Sequence, residues 1–135
     1  MLKLMIGVKG TGKTKTLIEM VNNAVVASNG AVVCIEKGDK LRYDIKHQAR
    51  LINTKEYMIS DAQSLYGFVA GILASNHDVT DLFIDSALKI CNEDIPAFEK
   101  LLDEINALVS ITGTNVFLTS SMPVEAATDT IKKYL

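Results

Sequence analysis

Short apolar runs alternate along this chain with longer stretches whose apolar residues recur every three or four positions, and that alternation predicts its elements. LKLMI (2–6) is a brief apolar run stopped by Gly7, as a buried strand would be. From Lys13 the period turns helical, with Leu17, Met20, Val21, Ala24 and Ala27 on one face and Gly30 as the stop. AVVCI (31–35) is continuous, short and β-branched, the pattern of a strand covered on both faces. Residues 36–56 are polar and weakly patterned, although RLIN (50–53) suits a short strand. Ser60 and Gln63 fit a capping box opening a helix over about 61–75, whose apolar positions are Leu65, Phe68, Val69, Ile72 and Leu73. DLFID (81–85) reads as another buried strand, with Asp81 at its exposed start and Asp85 at its end. Asp94 and Pro96 suit a helix start, and Phe98, Leu101, Leu102, Ile105, Leu108 and Val109 repeat at helical spacing until Gly113. NVFLT (115–119) follows as a strand, and the tail after Pro123 has no clear pattern.

Strands alternating with helices predict an α/β fold: a three-layer α/β/α sandwich, mainly parallel, forming one domain over residues 1–135. The 48% hydrophobic and 22% charged composition belongs to a globular chain rather than a disordered one. A formal charge of −2 supplies no global attraction to nucleic acid or an anionic membrane. Residues 105–124 are uncharged but include Asn106, Ser110, Thr112, Thr114 and Asn115, too polar to span a bilayer, so no membrane insertion is expected. MLKLMIG is too short for a signal-peptide core, and Cys34 and Cys91 make no metal-ligand spacing. Both observations point to reduced thiols in a cytoplasmic protein.

The first apolar run leads into GVKGTGKT, residues 7–14, which matches G-x-x-x-x-G-K-[ST] at every required position, after a strand and before a helix. Such a match arises by chance in under ~1% of chains of this length. A triphosphate needs several donors converging on its oxygens, where side chains would crowd one another. Backbone amides of a curled loop meet that need, and glycine permits the curl. Gly7, Gly10 and Gly12 serve the bend, while Val8, Lys9 and Thr11 contribute amides between them. Lys13 places a cation near the β- and γ-phosphates, and Thr14 offers a hydroxyl to Mg²⁺ at a helix start that already favours anions. Lys15 and Thr16, in the first turn, are candidates for the α-phosphate.

On these residues the chain resembles the P-loop NTPases over nearly its full length. That resemblance implies that Asp85, closing DLFID, holds Mg²⁺ through water beside the Thr14 hydroxyl. An extra strand between the loop strand and the Asp strand is similar to the RecA-like, additional-strand branch, and LFIDSAL carries Ser86 where RecA-type proteins often have serine. No N-K-x-D for guanine occurs, so the resemblance implies ATP rather than GTP. It further implies that Glu36, at the end of AVVCIE, orients the attacking water. The alternative for Glu36 is an ordinary strand-end acid paired with Lys37 or Lys40. Thr119 and Ser120 stand where this branch places a polar γ-phosphate sensor, with Ser120 the nucleotide-contacting candidate. Small bacterial P-loop proteins labelled pilus-retraction ATPases resemble this chain. The large amino-terminal domain and the histidine and aspartate boxes of retraction motors have no counterpart here.

Both arginines, Arg42 and Arg50, lie in a basic stretch from Lys37 to Lys55. They are candidates for acting in trans within a homo-oligomer, and the lone Tyr43 argues against a nucleic-acid stacking surface. His47 and His77 stand alone, without ligand spacing. The implied function is a Mg²⁺·ATP-binding protein with slow ATPase activity. Two alternatives remain, a phosphotransferase with a thymidine-kinase-like layout and a nucleotide sensor or assembly subunit that does not hydrolyse ATP.

Overall fold

In the computed structural model, which describes residues 1–135, the predicted strands all form and build one sheet. They are β1 (Leu2–Gly7), β2 (Ala31–Glu36), β3 (Arg50–Asn53), β4 (Val79–Ile84) and β5 (Asn115–Ser121). All five run parallel in the order β1-β5-β4-β2-β3. The last strand therefore inserts between the first and the fourth, with Leu4 opposite Leu118 and Phe83 opposite Phe117. The connecting helices are α1 (Lys13–Ala27), α2 (Ala62–Ser75), the short α3 (Ala87–Ile90), α4 (Ile95–Thr112) and α5 (Asp129–Lys132).

Period-two alternation divides the apolar residues between two layers. Leu2, Leu4, Val33, Ile35, Leu82, Ile84, Val116 and Leu118 face a core built with Leu65 and Val69 of α2 and Phe98, Leu102 and Ile105 of α4. Val32, Cys34, Phe83 and Phe117 face the opposite way, onto Leu17 and Val21 of α1. Helices thus cover both faces, which requires strands apolar on both sides and accounts for the continuous runs AVVCI and LFI.

The β2–β3 connection, unpatterned in sequence, completes the α1 layer by burying Leu41, Ile45 and Ala49. Asn22 of α1 anchors it: its Nδ2 donates to the Asp44 carbonyl at 2.9 Å, and its Oδ1 accepts from the Lys46 amide at 2.9 Å. The patternless tail folds back along β1, where the Leu4 amide donates to the Tyr134 carbonyl at 2.7 Å and Ile131 is fully buried. No helix is long and apolar enough to cross a membrane.

Several boundaries differ from expectation for local reasons. The α2 cap is Asp61, not Ser60: its carboxylate accepts from the Ser64 amide at 2.8 Å, and the Ser64 hydroxyl accepts from the Asp61 amide at 3.2 Å. Gln63 takes no part, because serine one position later closes the same reciprocal box. Asp81 lies inside β4, which begins at Val79, and its carboxylate accepts from the Thr80 hydroxyl at 2.8 Å. Helix α1 ends at Ala27, itself exposed, with Ser28 already extended. Gly30 has a different task from stopping the helix. A Cβ there would lie 2.0 Å from the Asp78 carbonyl oxygen, which accepts from the Ala31 amide to start the β2–β4 pairing.

Candidate functional site

The alternation that sorts the core also decides which polar residues meet at the carboxyl ends of the strands. Counting on from Cys34, Phe83 and Phe117, the α1 face receives Glu36, Asp85, Thr119 and Ser121. These residues and the start of α1 border a cleft of about 520 Å³.

The loop after β1 turns sharply through Gly10 (φ 87°) and Gly12 (φ 85°), both left-handed, where a side chain would be strained. The Thr11 hydroxyl donates to the Val8 carbonyl at 2.8 Å, and Lys13 Nζ donates to that same carbonyl at 2.9 Å. Gly7 makes this fold-back possible, since a Cβ there would sit 2.8 Å from Thr11 Oγ1. The backbone amides from Val8 through Lys15 donate to no acceptor in the protein. Gly12 caps α1 without a side-chain bond, so the amino end of this 15-residue helix is bare. A curl of free amides ending in a positive helix terminus has the donors and the field to receive an anion.

Thr14 Oγ1 lies 3.3 Å from each carboxylate oxygen of Asp85. Asp85 is buried and held from two further directions. Its amide donates to the Ile35 carbonyl at 2.9 Å, and its Oδ1 accepts from the Thr119 hydroxyl at 2.6 Å. The Thr119 hydroxyl in turn accepts from the Ser86 amide at 2.9 Å. Ser86 itself is left-handed at φ 56°, so the chain leaves β4 through a conformation that serine rarely adopts.

A hydroxyl and a carboxylate at this spacing fit a hard cation. Neighbouring ligands of an octahedral ion with bonds of about 2.0–2.1 Å stand about 3 Å apart, and Mg²⁺ usually takes few protein ligands beside water and phosphate. No group of three or more His, Cys, Asp or Glu forms a metal-holding cluster anywhere in the protein, and His47 and His77 are exposed.

Glu36 also reaches the cleft and is 3% exposed. Its Oε1 accepts from the Lys40 amide at 3.0 Å and its Oε2 from the Leu41 amide at 3.1 Å. Burial raises its pKa above the ordinary carboxyl value; these two bonds oppose the rise, and the charges of Asp85 and Asp39 add to it. The alternative of a side-chain ion pair with Lys37 or Lys40 is not what forms, because the backbone of the turn takes both oxygens. The Lys133–Asp103 contact at 3.1 Å is the protein's one salt bridge.

One expectation is corrected, and two further sets of candidates are placed. Ser120 is fully buried on the opposite face of β5, its Oγ accepting from the Leu88 amide at 3.1 Å, so Thr119 and Ser121 border the cleft in its place. The side chains of Lys15 and Thr16 do not line the cleft, and the Thr16 hydroxyl folds back to donate to the Gly12 carbonyl at 3.1 Å. Arg42 and Arg50 line a separate, smaller cleft of about 190 Å³ that shares Glu36 with the first. Arg42 sits 4.8 Å from the centre of the Tyr43 ring, and Arg50 donates to the Leu51 carbonyl and the Tyr57 hydroxyl. Neither arginine borders the larger cleft of its own chain.

Lys37 and Lys40, from the basic stretch, and Lys89, a lone lysine that carries no sequence signal of its own, border the larger cleft with Lys9 and Lys13. Cys34, below the site, is inert as a nucleophile: burial raises its pKa strongly, and the charges of Asp85 and Glu36 raise it further. The chain matches no protein-family model and no curated protein.

Proposed function

We propose that this protein binds Mg²⁺·ATP as a RecA-like P-loop protein and hydrolyses it slowly. The observation that carries this reading is the meeting, at one end of the sheet, of free loop amides, the Lys13 ammonium and the Thr14–Asp85 pair. Amides and Lys13 match a triphosphate, and Thr14 and Asp85 would hold Mg²⁺, which would offset the phosphate charge. The strand order adds support, since β5 lies between the loop strand β1 and the Asp strand β4, the arrangement expected of the additional-strand branch.

Within this reading the chain's own groups have defined tasks. The loop amides and Lys13 bind and neutralise phosphate oxygens, Thr119 holds Asp85 in its rotamer, and Glu36 orients water toward the γ-phosphate. A second reading, binding without turnover, is favoured by the two backbone bonds that occupy the Glu36 oxygens and by the absence of an arginine from the cleft.

Calorimetry with Mg²⁺·ATP tests the binding. Lys13→Ala should weaken affinity at least about tenfold, the worth of one charge-assisted bond; equal affinity in a folded variant refutes the assignment. Single-turnover release of ADP and phosphate from the wild type then separates slow hydrolysis from binding alone.

A further inference from the structure

At its β2 end the cleft is bordered by Lys37, Lys40 and Leu41 of a short turn of composition KGDKL, Lys37–Leu41. Side chains rather than strand pairing hold this turn in place. The two Glu36 oxygens accept from the amides of Lys40 and Leu41, and Asn53 Oδ1 accepts from the Gly38 amide at 3.0 Å. Gly38 has φ 121°, a value that lets the turn reverse. Leu41 is buried against α1 and pins the far end. So braced, the turn brings Lys37 and Lys40 to the cleft, where they join Lys9 and Lys13 from the loop side and Lys89 from α3. Five lysines outnumber the carboxylates Glu36, Asp85 and Glu93, and none of the five has a carboxylate within salt-bridge distance.

The rest of the lining has equal weight. Its apolar members are Leu41 and Leu88, and it contains no aromatic ring on which a base would stack. It contains no asparagine or glutamine side chain that would read a base edge. A site built to hydrogen-bond a specific group rejects analogues lacking it by about 10⁴-fold, and the planar amide side chains that pair with a base edge at two points are missing from this lining.

We propose that the cleft recognises the triphosphate and not the base, with Lys37 and Lys40 forming a second phosphate-binding arm that Glu36 and Asn53 hold in place. The ligand class is any Mg²⁺-complexed nucleoside triphosphate, and inorganic triphosphate itself. This inference rests on the phosphate-loop reading above but goes beyond it, since that reading alone permits a strict adenine requirement. Glu36 acts in this arrangement as a positioning residue, because its carboxylate fixes the backbone carrying both lysines.

The test is calorimetry on the full chain with Mg²⁺ and, in turn, ATP, GTP, CTP, UTP and inorganic triphosphate. The five ligands should bind within about tenfold of one another. Lys37→Ala/Lys40→Ala should weaken all five in parallel by about tenfold or more, while Lys100→Ala, an exposed lysine on α4 outside the cleft, changes none. The wild-type affinities should also fall steeply with added salt, because the interaction is charge against charge. Preference for ATP over inorganic triphosphate by more than about a hundredfold overturns the inference and leaves the phosphate-loop reading standing. Unchanged affinities in the folded double variant overturn the arm, and Lys37→Gln/Lys40→Gln decides the same point should the alanine variant fail to fold. Failure of all five ligands to bind the wild type removes both readings together.

Discussion

Thr119 holds the candidate site together from behind, and replacing it with valine isolates that contribution. The hydroxyl donates to Asp85 Oδ1 at 2.6 Å and accepts from the Ser86 amide at 2.9 Å, in a residue only 2% exposed. Valine keeps the shape and the β-branch but leaves a buried carboxylate oxygen and a backbone amide without this partner. A bond to a charged group contributes about 1.5–3 kcal/mol and a neutral one about 1 kcal/mol, so Thr119→Val should cost about 2–4 kcal/mol. With an m-value of about 2 kcal/mol/M for a domain this size, the urea midpoint should fall by about 1–2 M. Thr119→Ser, which keeps the hydroxyl, should recover most of that loss. Because Asp85 is also freed to rotate away from Thr14, Mg²⁺·ATP affinity should drop in the valine variant and recover in the serine variant. A valine variant within about 0.5 kcal/mol of wild type would show that neither bond matters and would refute the bracing role.

Two further outcomes follow from the same geometry. Glu36 has a raised pKa, chiefly through burial, so it binds its proton more tightly in the folded state than in the unfolded one. Its stabilising contribution is therefore complete below the ordinary carboxyl value of 4.5 and is lost as pH climbs through the raised folded value. Urea unfolding of wild type and Glu36→Gln across roughly pH 4 to 8 should show wild type losing stability relative to the variant as pH rises above the ordinary value; a flat difference rejects it. Gly30→Ala should cost about 2–3 kcal/mol, because the new Cβ would meet the Asp78 carbonyl oxygen at 2.0 Å and force β2 away from β4. A midpoint shift worth less than about 0.5 kcal/mol would mean that the two chains separate there without strain.

What the sequence made legible was whatever depends on local period and fixed spacing. The continuous runs AVVCI and LFI reported burial on both faces, and G-x-x-x-x-G-K-[ST] identified the loop that folds into a curl of free amides. Asp85 was legible because a carboxylate ending an apolar strand is conspicuous. Facing was not legible for β5: VFL is apolar on both sides, so nothing local reveals whether Thr119 or Ser120 points toward α1. Only the pairing of Phe83 with Phe117 settles it, and that contact joins distant parts of the chain. The β2–β3 connection was opaque for another reason. Leu41, Ile45 and Ala49 are spaced like one helix face, but they sit among exposed residues in consecutive turns held by Asn22. The side chain that organises that segment lies outside it.

The placement of chemistry at one end of this sheet follows from where each strand ceases to be apolar. On the α1 face Cys34 gives way to Glu36, Phe83 to Asp85, and Phe117 to Thr119, each at the carboxyl end of its strand and each two residues after a core position. A one-residue slip in β4 would carry Asp85 to the face packed by α2 and α4, among residues such as Ile35, Leu118 and Phe98, where no hydroxyl or amide on the α1 side reaches it. An ionised carboxylate there would cost several kcal/mol. The register that buries Leu82 and Ile84 is therefore the same register that presents Asp85 to Thr14, and folding to the correct core cannot be separated from assembling the site. Ser120 obeys the same rule from the other side: a small hydroxyl is tolerated on the apolar face because the Leu88 amide is there to meet it, at the start of the segment that carries Lys89 back to the cleft. Sheet register, more than any single residue, is what brings the glycine-bearing loop after β1 and a carboxylate after β4 into one site.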